Sequence, residues 1–420
     1  MACYVKNNIK YVIFNDTVKN YIFKGLAETM IMAERKAQIC PMHIAISAHF
    51  WGQSTTGSGQ YLHRLVETFG HSYPNVDLTL IADSEAARRA PPPDGVRWIV
   101  AHTPFDRNKN LAKLWFEQVA APRTAQRVGA DLFHVPYFAP PFSRALPVVV
   151  TIHDLIPMIL PAYRGRALVR AYTTLVARAA RSAEYILADS DASRRDILRL
   201  LAVEPERVQT VYLAAEERFR PQAPTAMAEI RQRLNLPEQF ALYLGGFDIR
   251  KNIPCLLQAV ANSKGTWPLV IAGKLPRHDS PFRPDPRRLV QELGIAERVH
   301  FTGWIEEEDK AALLATASLF VFPSAYEGFG LPILEAMACG TATLTTDVSS
   351  LPELAGDAAA LVPPNDVKAL TTAMDYLMEA DEARTALAAR GPVQAAAFSW
   401  LRCAAETLAA YQLVLSKVSQ

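Results

Sequence analysis

An apolar run, Leu319 to Phe322, leads straight into Phe-Pro-Ser-Ala-Tyr-Glu-Gly-Phe-Gly-Leu-Pro-Ile-Leu-Glu-Ala-Met-Ala-Cys-Gly, residues 322–340. The run reads as a buried strand, Gly328 and Gly330 mark a turn, and Pro332 opens a helix that Gly340 stops. Strand, tight loop and helix N-terminus make a corner with unpaired backbone N–H groups at the positive end of a helix dipole. Such a corner attracts phosphate or another anion. Glu335, expected in the first turn of the helix, would repel a phosphate but can accept hydrogen bonds from the neutral hydroxyls of a ribose or hexose. Glu327 sits eight positions earlier on the loop. Taken alone, the two acids read sooner as structural, Glu335 as a complement to the helix dipole and Glu327 as a solvated loop residue.

Taken with their neighbours they read differently. The pattern Glu327-Gly-Phe-Gly-Leu-Pro-Ile-Leu-Glu335 resembles the paired-glutamate signature of family 4 retaining glycosyltransferases. That resemblance implies the α/β GT-B architecture, two Rossmann-like parallel-sheet domains facing across a cleft with a C-terminal helix crossing back to the first. It places Phe329, Gly330, Leu331 and Glu335 on the donor, with Glu327 at the hydroxyls of the donor sugar.

At 420 residues the chain has room for two domains, and the resemblance spans roughly residues 42–418. We expect an extension over 1–41, an acceptor domain over 42–220, a donor domain over 221–396 and a crossover helix over 397–420. A formal charge of +2 with no long basic tract gives no case for a nucleic-acid partner. Five scattered cysteines have no metal spacing, and reduced thiols in a cytoplasmic protein account for them. No apolar run reaches membrane-spanning length. Residues 1–41 lack the plan of a secretory signal, and Lys6 to Lys24 suits a strand or a helix.

The first clear element is a strand at His43 to Ala48, followed by a loop ending Gly57-Ser58-Gly59 and a helix to Phe69. Without a third glycine and a downstream acid this is not a dinucleotide fingerprint, and taken alone it reads as a tight turn. In the resemblance, Gly57 and Gly59 face the donor phosphates and the acceptor. Pro-Val-Val-Val-Thr-Ile, residues 147–152, is typical of a central parallel strand, and it ends in His153-Asp154. Ligands bind at the carboxyl ends of such strands. A histidine there is either a core residue bonded to backbone or, as the resemblance implies, a contact to the donor sugar. Arg164, Arg166, Arg170, Arg178 and Arg181 interleave with apolar residues, which suits a solvated helix face or the docking of a membrane that carries a lipid-linked acceptor. In Asp189-Ser190-Asp191, Ser190 or Asp191 is placed to cap the next helix, and no metal role is needed.

In the second half, a strand at Phe240 to Leu244 precedes Gly245-Gly246-Phe247-Asp248-Ile249-Arg250-Lys251-Asn252. Arg250 and Lys251 are placed to neutralise a diphosphate and the charge growing on it as it leaves. Gly303-Trp304 follows another strand, where the indole either packs locally or helps seat the nucleotide base. Strands and helices alternate to the end, the sign of a second parallel sheet. The resemblance implies retaining transfer of a hexose from a nucleoside diphosphate sugar to a saccharide or lipid-linked acceptor, and the stretch Thr151 to Pro157 resembles that of bacterial mannosyltransferases of surface polysaccharide synthesis, which favours mannose. His153, Glu327, Arg250 and Lys251 would be the catalytic group. No cofactor and no metal are expected beyond the donor itself, and the expected place is the cytoplasm, with the inner face of the cell membrane open. Two alternatives are a sugar-nucleotide epimerase and a non-catalytic binding protein of the same architecture.

Overall fold

The computed structural model describes residues 2–6, 9–13 and 42–418, apart from residues 106 and 144. Of the first 41 residues, Ala2–Lys6 and Ile9–Ile13 pair as antiparallel strands. The rest of the expectation for that segment lies outside the described residues. From residue 42 onward the chain forms two compact units. One holds the chain up to Leu213 together with Ser399 onward, and the other runs over Ala214–Phe398.

The first unit is built on a seven-stranded sheet: β1 Met42–Ser47, β2 Val76–Ala82, β3 Arg97–Val100, β4 Leu132–Val135, β5 Val148–Ile152, β6 Tyr185–Ala188 and β7 Val208–Thr210. The strands lie in the order β3-β2-β1-β4-β5-β6-β7, and every pairing is parallel. Parallel pairing requires crossovers, and their helices cover both faces of the sheet. That is why β5, Val-Val-Val-Thr-Ile, is apolar without alternation and buried at every position.

Helix α1, Gly57–Ser72, follows β1 and buries Tyr61, Leu62, Leu65, Val66 and Phe69 at helical spacing. Helix α2, Ala167–Arg181, follows β5, and helix α3, Asp191–Leu201, follows β6. Ser190 caps α3 by accepting a hydrogen bond from the Ser193 N–H, as the sequence suggests for this position.

The second unit repeats the plan with six strands: β8 Ala241–Leu244, β9 Leu269–Ala272, β10 Val299–Gly303, β11 Leu319–Phe322, β12 Thr343–Thr346 and β13 Ala359–Val362. Their order is β10-β9-β8-β11-β12-β13, again all parallel. Helix α4, Leu331–Ala338, joins β11 to β12. Residues Asp381–Ala395, unassigned from the sequence, form helix α5 despite the internal Pro392.

The last helix, α6 over Trp400–Val418, belongs to the first unit although it follows the second in the chain. Its buried residues Cys403, Ala404, Thr407, Leu408, Tyr411 and Val414 form one stripe, and the Tyr411 ring stacks on Phe69 of α1. Tyr411 also hydrogen-bonds His134 Nδ1 at 2.7 Å, His134 Nε2 lies 2.8 Å from Thr151 Oγ1, and the Tyr61 hydroxyl lies 3.0 Å from the same oxygen. These buried polar groups satisfy one another and tie α6 to β4, β5 and α1.

Candidate active site

In both sheets the strand order reverses direction at one pair, β1 beside β4 and β8 beside β11. Two loops leaving such a pair in opposite directions open a crevice at the carboxyl edge, where doubly wound sheets take their ligands. In the second unit, the loop after β8 carries Arg250 and Lys251, and the loop after β11 carries Glu327.

The structure brings these three residues together. Arg250 Nη1 donates to Glu327 Oε2 at 2.5 Å and Lys251 Nζ donates to Glu327 Oε1 at 2.6 Å. Ser324 Oγ donates to the same Oε1 at 2.7 Å, while Asp248 lies 3.2 Å from Arg250 Nε. The ammonium of Lys251 also stands 4.7 Å over the Phe322 ring. Backbone bonds hold the two loops in register, with Ala325 N–H donating to the Arg250 carbonyl at 2.7 Å and Asn252 Nδ2 to the Pro323 carbonyl at 3.2 Å.

Glu327 was expected on a flexible loop tip with its carboxylate open to sugar hydroxyls. The structure corrects this: Glu327 is buried, and both its oxygens already accept from the two cations and Ser324. An acid removed from water needs such partners. Burial alone would raise its pKa, but Lys251 and Arg250 together hold it below the usual glutamate range. Burial and the adjacent Arg250 pull the Lys251 pKa down, against the opposing attraction of Glu327.

The turn between them is clamped from β12's loop. Ser349 Oγ accepts from the Glu327 N–H at 2.9 Å, and Ser350 Oγ donates to the Glu327 carbonyl at 3.0 Å and to that of Phe329. Gly330 then caps α4 with φ +117°, a conformation that side chains rarely adopt, and a Cβ there would stand 2.8 Å from Leu351 Cδ2. No side chain caps this helix, so a side-chain acceptor does not take up its N-terminal amides. Phe329 is buried with its ring edge-on to Phe398, and Leu331 is partly exposed.

Glu335 lies in the second turn of α4, not the first, because the helix starts at Leu331 and Pro332 stands inside it. It is buried apart from the trio, among Lys310, Glu307, Glu216 and Arg218, and burial pushes its pKa up to about 7. Those neighbours are linked to each other, Arg218 Nη2 to Glu307 at 2.8 Å and Lys310 Nζ to the same acid at 2.5 Å. Gly303 ends the edge strand β10 with φ +74°, and Trp304 beyond it is 46% exposed.

In the first unit, Gly57 opens α1 with nothing within 4 Å of where its Cβ would be. Gly59 is different, since a Cβ there would stand 2.0 Å from the Gln53 carbonyl oxygen. His153 lies just past β5, but both ring nitrogens are engaged, Nδ1 with Asp189 Oδ2 at 2.7 Å and Nε2 with the Pro136 carbonyl at 3.1 Å. The ring nitrogens are therefore not open to sugar hydroxyls as expected. A carbonyl only accepts, so Nε2 carries a proton, and with Asp189 at Nδ1 the arrangement favours the imidazolium. Burial opposes that charge, yet Asp189 raises the pKa on balance.

Sequence reasoning passed over Asp248, Ser324, Ser349 and Ser350, and it treated Asp189 as part of a capping turn. Only Asp248, two residues before Arg250, carried a local signal. Ser324 stands three residues before Glu327 on the same loop, and Ser349, Ser350 and Asp189 are brought in from separate loops.

The family model for glycosyl transferases group 1 matches residues 227–394, and that for Glycosyltransferase Family 4 matches residues 55–216. The O-antigen chain mannosyltransferase B of Escherichia coli is 36% identical over 289 residues, covering 67% of this chain and 74% of that protein. A serotype-specific mannosyltransferase WbdA of Escherichia coli is 31% identical over 270 residues, 61% of this chain, and the match spans 32% of that longer protein. Among solved structures, sucrose-phosphate synthase from Thermosynechococcus elongatus superposes with a TM-score of 0.71 at 22% identity, over 90% of this chain and 100% of that one.

The chain belongs to the family 4 glycosyltransferases, with the two Rossmann-like units of the GT-B fold. It is a hexosyltransferase, similar to bacterial mannosyltransferases of polysaccharide synthesis, and this membership selects transfer over the epimerase and binding-protein alternatives.

Proposed function

We propose that this enzyme transfers mannose from guanosine diphosphate mannose to a growing saccharide, with retention of configuration and without a metal ion. The observation that carries the donor site is the convergence of Arg250 and Lys251 on Glu327 beside the uncapped start of α4. Two cations and a helix N-terminus at a strand-order reversal suit a diphosphate. Glu327, Asp248 and Ser324 hold the cations in position before the donor arrives, so little reorganisation is needed as negative charge grows on the leaving diphosphate. When the donor is bound, its phosphates share those cations and release a Glu327 oxygen to a hydroxyl of the mannose. Glu335 accepts from a donor hydroxyl, and Gly303 with Trp304 seats the base.

The first unit takes the acceptor at its own strand-order reversal, where Gly57 leaves the start of α1 open. The mannose assignment is supported by the relatives, an O-antigen chain mannosyltransferase among them. An acceptor carried on a lipid would bring the enzyme to the inner face of the cell membrane.

Purified enzyme, guanosine diphosphate mannose and a mannose-terminated oligosaccharide provide the test. Mass spectrometry should show the acceptor gain one hexose, and NMR should show the new linkage with the donor's α configuration. No gain with this donor but gain with a uridine diphosphate hexose would overturn the mannose assignment, and a β linkage would overturn retention.

A further inference from the structure

Among the described residues, two histidine–aspartate pairs stand at the carboxyl edge of the first unit's sheet. They differ in one respect. Past β5, both His153 ring nitrogens are taken, by Asp189 and by the Pro136 carbonyl. In the other pair, His49 on the loop after β1 meets Asp83, which directly follows β2, and Asp83 Oδ2 engages Nδ1 alone. His49 Nε2 has no hydrogen-bond partner among the described residues, and the side chain keeps 13% of its surface exposed.

The fold holds this ring in place. Arg89 Nη2 donates to the His49 carbonyl at 2.8 Å, and the ring packs against Phe50, Phe116 and Tyr137, with centroids 5.0, 5.9 and 5.8 Å away. Tyr137 follows β4, so the ring lies where the two strands at the order reversal end, the edge at which such sheets take ligands. Asp83 is fixed in turn, its Oδ1 accepting from the Ala86 N–H at 2.7 Å at the start of the helix Ser84–Arg89. Burial raises the Asp83 pKa, but the bond and charge of His49, the Ala86 N–H and Arg89 bring it below the usual aspartate range. An ionised Asp83 accepts the Nδ1 proton, which leaves Nε2 of the neutral ring as an acceptor.

The charges nearby are matched. Glu117, buried in the π-helical turn Phe116–Ala120, lies 3.7 Å from Lys113 Nζ, and Arg89 acts on Asp83. The edge thus has little positive charge to spare for a phosphate and suits a neutral hydroxyl. We infer that His49 binds the acceptor saccharide, its Nε2 accepting a hydrogen bond from a sugar hydroxyl, with Asp83 as the positioning residue that fixes the ring. This deepens the acceptor reading proposed above and rests on it.

The test is titration calorimetry of the full chain with a mannose-terminated oligosaccharide alone, beside a titration with guanosine diphosphate mannose alone. His49→Ala should weaken oligosaccharide binding by about tenfold. Asp83→Asn keeps an acceptor for the Ala86 N–H but loses the charge that orients the ring, and should weaken it by about threefold or more. Both variants should leave the donor dissociation constant unchanged. Unchanged oligosaccharide affinity in either variant, folded by circular dichroism, would overturn the inference and leave the acceptor reading standing. A wild type that binds no saccharide would overturn both. Equal losses of saccharide and donor affinity would also overturn the inference, because the ring would then act through the fold and not through a hydroxyl.

Discussion

Lys251 illustrates why the chemistry needs buried charge. Its ammonium is held between the Glu327 carboxylate and the Phe322 ring, out of water, so its interaction with a phosphate is screened far less than that of a surface lysine. Lys251→Ala should lower kcat by about 10²–10³-fold while circular dichroism shows an intact fold, because Arg250 still pairs with Glu327. Glu327→Ala should behave differently, since it leaves two adjacent cations without their shared partner. We expect it to cost about 3–5 kcal/mol in thermal or denaturant unfolding, together with loss of transfer. Glu335 makes a prediction about pH. Its folded pKa of about 7 lies above the ordinary value of 4.5, so its contribution to stability is fully present below about pH 4.5 and is lost as pH rises through 7. The whole effect is about 3 kcal/mol, and Glu335→Gln should remove that slope from stability measured against pH.

At the scale of elements, the corners between strands and helices carry the most consequence. Gly330→Ala places a Cβ 2.8 Å from Leu351 Cδ2 at a backbone angle that disfavours alanine, so the turn into α4 must shift. Donor binding measured by calorimetry should weaken by about tenfold or more, an effect of at least about 1.4 kcal/mol, whereas Gly57→Ala meets open space and should change little in stability. These corners were also where the sequence was most legible. The run from Leu319 to Gly340 has its strand, glycines, proline and helix contiguous, so local chemistry suffices to place them. Glu335 was placed one turn too early because the helix begins at Leu331, before the proline. Helix α5 went unseen because Gly391-Pro392 reads as a break. In the fold that glycine lets α5 approach α4, where a Cβ would stand 2.6 Å from the Met337 carbonyl oxygen. The serines that clamp the 327–329 turn, and Asp189 beside His153, are set by tertiary contacts between loops that no local spacing encodes.

At the scale of the whole molecule, the chain crosses from the first unit to the second and returns only for α6. That return closes the first unit's core, since α6 buries Cys403, Leu408, Tyr411 and Val414 against it and anchors Tyr411 on His134. Deleting residues 399–420 should therefore unfold the first unit and leave the second folded, giving one cooperative transition in calorimetry where the intact chain gives a larger heat. The repetition of one strand order in both units also explains why the two ligand edges arise at corresponding places, after the first and fourth strands of each sheet. The account as a whole depends on a diphosphate being gripped at the β8–β11 edge by Arg250 and Lys251. The direct measurement is the dissociation constant of guanosine diphosphate mannose for the wild type and for Lys251→Ala, by titration calorimetry at one pH and salt. We predict a loss of about tenfold or more in the variant; an unchanged dissociation constant in a folded Lys251→Ala protein would contradict the account.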